Sequence, residues 1–164
     1  MGFDTPSRAA EKLTWSLQLN NSSEHHVESC CKNLVLDFAH AVDARLHERF
    51  VSVFAPDGVF SRATGKFAGH AELRQFVEAR RTDIVTRHLC STIRIRVVDD
   101  VHAEGTTYAL VFQSEGDEAS SPLNAPLPRF VEYTDSFVLG ESGWRIKTRE
   151  ARIVFNVTVP ATVS

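Results

Sequence analysis

The sequence predicts an α+β fold: helices first, then long antiparallel strands forming one curved sheet wrapped around three N-terminal helices. Three observations carry that prediction. Apolar residues recur at helical spacing up to about residue 81, they alternate with polar ones after it, and Gly, Pro and Asp punctuate the changes of period. At 164 residues the chain fits one domain that can bury a core without staples.

Residues 1–22 are weakly patterned and predict an N-terminal arm. A short helix is expected there, opening at Pro6-Ser7, running through Leu13, Trp15 and Leu17, and ending at Asn20-Asn21. Residues 23–164 form the domain. Val27, Cys30, Cys31, Leu34, Val35, Phe38 and Val42 recur at helical spacing, with Ser22 or Ser23 as N-cap and Glu24 near the positive helix end. Leu46, Phe50, Val53 and Phe54 stripe a second helix, which Ala55-Pro56-Asp57-Gly58 is expected to stop. Val59-Phe60-Ser61 begins a short strand, and a third helix over residues 70–81 carries Leu73, Phe76 and Val77.

Four strand segments follow: residues 88–98, 101–114 with a break near Gly105, 130–139 and 144–158. Strict alternation fails in two of them. Leu89, Ser91, Ile93, Ile95 and Val97 share one parity, while His88 shares the other with Arg94 and Arg96, so an inward His88 needs a bulge or a strong twist before the arginines emerge. Trp144 and Ile146 oppose Ala151, Ile153, Phe155 and Val157, which predicts a second bulge near Arg149.

The net charge of −3 argues against a nucleic-acid footprint, which needs a basic excess. There is no apolar signal core and no run of membrane-spanning length, so neither membrane nor export is expected. Cys30, Cys31 and Cys90 make neither a disulfide framework nor a zinc spacing, and a reducing, cytoplasmic setting is the simplest reading. His25, His26, His40, His47, His70, His88 and His102 are scattered, without a paired ligand spacing, and no metal is expected. Eleven Phe against two Tyr and two Trp predict a strongly apolar interior.

A curved sheet around a long helix leaves a concave, largely apolar place for a small molecule. His88 stands at the mouth of the first long strand, and Asp43 is the acid that could meet it. A carboxylate beside an imidazole fixes its tautomer and lets the neutral ring abstract a proton near pH 7. Both residues also have a purely structural reading: His88 as a strand-edge histidine, Asp43 as N-cap of the second helix. Phe38, Phe54 and Phe60 read equally as core or pocket wall. Tyr108 and Tyr133 could present a hydroxyl to a substrate or simply pack. Cys90, two residues from His88, reads as a small apolar filler, and His40 as a solvated helix position.

Short motifs in order sharpen this: Phe38-Ala39-His40-Ala41-Val42-Asp43, Phe54-Ala55-Pro56-Asp57-Gly58-Val59-Phe60, Gly69-His70, Thr86-Arg87-His88, Tyr133-Thr134-Asp135-Ser136-Phe137 and Gly143-Trp144-Arg145-Ile146. Across residues 27–155 the set resembles the SnoaL-like branch of the nuclear-transport-factor-2-like superfamily. The resemblance implies a cone-shaped α+β barrel with one pocket, and a base pair of Asp43 and His88 as in the dehydratase and dehydrochlorinase members. Those dehydratases also carry a tyrosine before the acid and a second histidine on the next strand. Val42 and about Thr107 stand there, so the resemblance covers the base pair and not its electrophilic partners.

The expected function is therefore a cofactor-independent lyase or isomerase that takes a proton from a hydrophobic, cyclic small molecule, with His88 as base and Asp43 as its orienter. The alternative is a non-catalytic ligand-binding or dimerisation module of the same fold. A homodimer is expected, because Leu110 and Phe112 oppose Ala109 and Val111 and make that strand apolar on both sides.

Overall fold

Helix α1 (Arg8–Asp43) is one unbroken 36-residue helix rather than an arm helix and a core helix. Asn20-Asn21 does not end it: polar residues only lower helix propensity, and no Gly or Pro stands between Arg8 and Asp43. The computed structural model describes residues 8–117, 119, 123 and 127–157, with side chains from residue 23 onward, so Leu13, Trp15 and Leu17 lie outside the described side chains. Helix α1 closes with Arg45 in the left-handed region (φ 55°) and the Leu46 N–H donating to the Ala41 carbonyl at 2.9 Å, a Schellman closure.

The remaining elements are α2 (His47–Ser52), β1 (Phe54–Arg62), β2 (Gly65–Ala68), α3 (Gly69–Glu78), β3 (Ile84–Val97), β4 (His102–Glu115), β5 (Arg129–Gly140) and β6 (Gly143–Asn156). The six strands form one sheet in the order β2-β1-β6-β5-β4-β3. The α+β class is as expected, with two corrections of detail. The sheet is mixed, because β1 runs parallel to β6, and it stays open, with β2 and β3 as its two edges.

Ala55-Pro56-Asp57-Gly58 does not stop a helix either. It lies within β1 as an irregularity between Phe54, which pairs with Ile146, and Val59, which pairs with Thr148. A β-carbon on Gly58 would sit 2.9 Å from the Ala55 carbonyl oxygen, so only glycine fits this fold-back. Gly105 does not break β4, which is continuous.

Both expected bulges exist. The β3–β4 register shifts between Ser91 and Arg94, with Thr92 at φ 48°. Thr86, His88 and Cys90 therefore lie inward before the shift, and Ile93, Ile95 and Val97 after it. In β6, Ile146 pairs with Phe137 but Thr148 with Ser136, so Lys147 is the extra residue and Arg149 turns inward with Trp144 and Ile146. A further shift opposite Phe130 and Val131 puts Phe155 on the outer face, apart from Ala151 and Ile153.

The core lies between α1 and the concave face. Cys31, Val35, Phe38 and Val42 face it at helical spacing, and Phe38 is the hub, its ring 5.3 Å from Phe50 and 5.5 Å from Phe60. Ala103, Gly105, Thr107 and Ala109 make the inner face of β4 small, and at Gly105 the space is taken by the side chains of Ile95 and Phe137. No helix among the described residues is long and apolar enough to cross a membrane.

Candidate active site

Asp43 is the last residue of α1, and its carboxylate points at the start of β3. One oxygen, Oδ1, lies 2.6 Å from His88 Nδ1 and accepts the Thr86 hydroxyl at 2.8 Å. The other, Oδ2, accepts the His88 backbone N–H at 2.8 Å. The Asp43 and His88 side chains are only 13% and 9% exposed. Asp43 caps nothing: the N-cap position of α2 is Leu46, without a side-chain bond.

An acid at a helix C-terminus opposes the helix dipole, so its place needs compensation. Burial alone would raise the Asp43 pKa, but the hydrogen bonds and charge of His88, with help from Thr86, hold the carboxyl below its ordinary value. An ionised carboxylate has no proton to give. In the neutral ring the Nδ1 position therefore carries the hydrogen, and Nε2 keeps the lone pair.

His88 forms part of the wall of a cavity of about 400 Å³ between α1, α3 and the concave sheet. Phe38, Phe60, Phe76, Val131 and Tyr133 supply its apolar wall, and Thr86 and Gln113 add polar groups. Of the sequence candidates, His88, Phe38, Phe60 and Tyr133 thus meet at one cavity, with Asp43 directly behind the histidine. Two candidates do not. Phe54 is 1% exposed and packs in the core against Phe50 at 5.6 Å. Tyr108 shares its parity with Leu110, so it lies on the outer face, its ring 5.6 Å from Phe130. Cys90 points inward beside His88, and burial pushes its thiol pKa up. His40 is exposed on α1.

Two features escaped sequence reasoning. The first is a buried ion pair: Arg149 donates through Nε and Nη2 to the two Asp135 oxygens, both at 2.7 Å, and both side chains are essentially inaccessible. The guanidinium also lies 4.3 Å from the Phe38 ring centre and 4.8 Å from that of Tyr133. Since those two rings border the cavity, the pair lies one layer beneath its floor. Asp135 shares strand parity with Tyr133 and Phe137, and an acid on an inward face calls for a cation. The second is Arg80, which donates to the Val42 carbonyl at 2.8 Å and to the Thr86 hydroxyl at 3.2 Å, extending the Asp43 network to the cavity wall.

Solved structures share this architecture. A candidate scytalone dehydratase from Novosphingobium aromaticivorans superposes with a TM-score of 0.71 at 19% identity, over 84% of this chain and 90% of that one. A hexachlorocyclohexane dehydrochlorinase from Novosphingobium barchaimii gives 0.70 at 15% identity, over 86% and 95%. A protein of unknown function with a cystatin-like fold from Nostoc punctiforme gives 0.63 at 21%, over 80% and 90%. At these identities the likeness speaks for the fold. No curated protein matches the sequence closely enough to count as a relative. The SnoaL-like domain model matches residues 23–150, most of the chain, and the protein belongs to that family.

Proposed function

We propose that the protein is a cofactor-independent lyase or isomerase in which His88 takes a proton from carbon and Asp43 orients and stabilises it. The observation that carries this reading is the 2.6 Å contact between His88 Nδ1 and Asp43 Oδ1 at the wall of an apolar cavity. The substrate is a hydrophobic, ring-sized molecule with an acidic C–H next to a carbonyl or leaving group. The Nε2 lone pair accepts the proton, and the C–H electron pair moves to the carbonyl oxygen or expels the leaving group. The imidazolium so formed is stabilised by the ionised Asp43 and returns its proton to another carbon or to the leaving group. Tyr133 borders the same space; burial raises its pKa, so its phenol stays protonated and is suited to donate a hydrogen bond to a developing oxyanion.

The family's dehydratase and dehydrochlorinase neighbours support a reaction of this class. A screen of cyclic ketones and related carbonyl-activated compounds in D₂O tests it, reading protein-dependent proton exchange by NMR. Exchange that vanishes in His88→Gln supports the assignment. Exchange that survives in that variant removes it.

A homodimer through the outer sheet face, in a cytoplasmic setting, belongs to the same proposal. Leu89, Leu110, Phe130 and Phe155 pair in register across β3, β4, β5 and β6, and Leu89 and Phe155 are 58% and 54% exposed. Cys30, Cys31 and Cys90 are free thiols, as a reducing compartment maintains them.

A further inference from the structure

The cavity's charge is one-sided. Four arginines line it, Arg62, Arg80, Arg81 and Arg129, and among the described residues no Asp or Glu does, in a chain whose net charge is −3. Arg81 is already neutralised by Asp83 and Glu115, neither of which borders the cavity. Arg80 differs from it. Its side chain is half-buried, and the acceptors it reaches, the Val42 carbonyl and the Thr86 hydroxyl, are both uncharged. Arg62 donates to the Thr64 hydroxyl and lies over the Phe76 ring at 5.4 Å. A guanidinium has five N–H donors, so Arg80 retains donors beyond the two it spends on protein.

We propose that the cavity takes an apolar molecule bearing one carboxylate, held by Arg80 with Arg62 at its side, so that the ring-sized substrate proposed above carries a carboxylate as well as its acidic C–H. Three observations converge on this. A half-buried cation without a carboxylate partner is the group that a charge-assisted ligand contact would complete. Arg80 is joined to the base by a short chain, donating to Thr86, which donates to Asp43, which holds the His88 ring. Arg80 and His88 also border the same cavity, so an anion on Arg80 lies in the space that His88 faces, with Phe38, Phe60 and Phe76 as its apolar wall. Burial pulls the Arg80 pKa down, as do the charges of Arg45 and Arg62, against an upward pull from Asp43. Burial is the largest of these influences, and a carboxylate bound at Arg80 would offset it.

The catalytic use of this grip rests on the proposed chemistry of His88, but the grip itself does not. Binding is therefore measured apart from turnover, with cinnamate and its neutral relative cinnamamide as a matched pair, by calorimetry at low and high salt. Wild type should bind cinnamate about tenfold or more tightly than cinnamamide, with the preference shrinking at high salt. Arg80→Gln should lower cinnamate affinity about tenfold and leave cinnamamide within about twofold, and exposed Arg62→Gln should cut cinnamate by a smaller factor. His88→Gln should keep the preference even if no proton exchange is ever found, which separates this inference from the proposed reaction. Equal affinity for the two compounds, no binding of cinnamate, or parallel loss of both in Arg80→Gln would overturn it. If Arg80→Gln does not fold, the wild-type pair and Arg62→Gln decide alone.

Discussion

Asp43 holds His88 twice, through ring Nδ1 at 2.6 Å and through the backbone N–H at 2.8 Å. The second contact fixes where β3 enters the site, and the first fixes how the ring is turned. Asparagine at 43 can keep a hydrogen bond but cannot supply the charge that stabilises an imidazolium. We expect Asp43→Asn to fold and to lose about a hundredfold or more in turnover. His88→Gln should fail similarly, and the double variant should be little worse than either single, because the two act as a unit. Kinetics on a substrate from the exchange screen check this, and full turnover in Asp43→Asn ends the dyad.

Removing the carboxyl altogether should also cost stability, for a reason other than capping. Asp43→Ala leaves the Thr86 O–H and the His88 N–H without the acceptor they donate to, at partly or fully buried positions. A loss of about 1–3 kcal/mol is expected, seen as a fall of several degrees in Tm. An unchanged Tm would mean that water replaces the carboxylate at no cost.

Acid should expose the same group. The folded Asp43 carboxyl titrates below its ordinary value, so the unfolded chain takes up this proton more readily than the folded one. Its stabilisation is complete above the unfolded pKa of about 3.9 and is lost as pH falls through the lower folded value. Below about pH 4 the Tm of wild type should fall more steeply than that of Asp43→Asn. The exposed Asp57, Asp83 and Asp99, also lowered by their partners, are common to both proteins and cancel in the comparison. Parallel Tm curves would assign acid lability to other groups.

The Asp135–Arg149 pair should behave as buried pairs do. Asp135→Asn leaves an uncompensated guanidinium under Phe38 and Tyr133, and about 3–5 kcal/mol should be lost in urea unfolding. Adding Arg149→Met should recover part of that loss. A double variant worse than Asp135→Asn would show that Arg149 contributes through its ring contacts more than through the pair.

The outer sheet face should carry association. Phe155→Lys with Leu110→Glu breaks the apolar row at two of its four strands. Light scattering should show a dimer for wild type and a monomer for the double variant at micromolar concentration. A wild-type monomer removes the interface.

Much of the site was legible because it depends on period and order. The conflict between His88 and Arg94 in β3 called for a bulge or a strong twist, and the register shift between Ser91 and Arg94 is a bulge. The resemblance put Asp43 opposite His88, where spacing alone left it equally a cap. Other features were not legible, for physical reasons. Pro56-Asp57-Gly58 is turn chemistry whether it ends a helix or buckles a strand, and only the parallel partner β6 decides. Tyr108 was placed by residue type; its parity with Leu110 would have put it outside, opposite the set that holds Ala109 and Val111. Arg149 looks like a solvated strand residue until Lys147 is recognised as the extra residue that turns it inward.

The left-handed corner at Arg45 has a practical consequence for anyone stabilising this protein. Glycine there would relieve about 1–2 kcal/mol of left-handed strain, and sequence-based redesign would choose it. Arg45 Nη2, however, donates to the carbonyls of Arg81, Thr82 and Ile84, tying the end of α1 to the segment that leads into β3. Asp43 and His88 sit on the two sides of that tie. A glycine at 45 would trade the held distance between Asp43 and His88 for a more comfortable backbone, and under the proposed reaction the more relaxed protein would be the poorer catalyst.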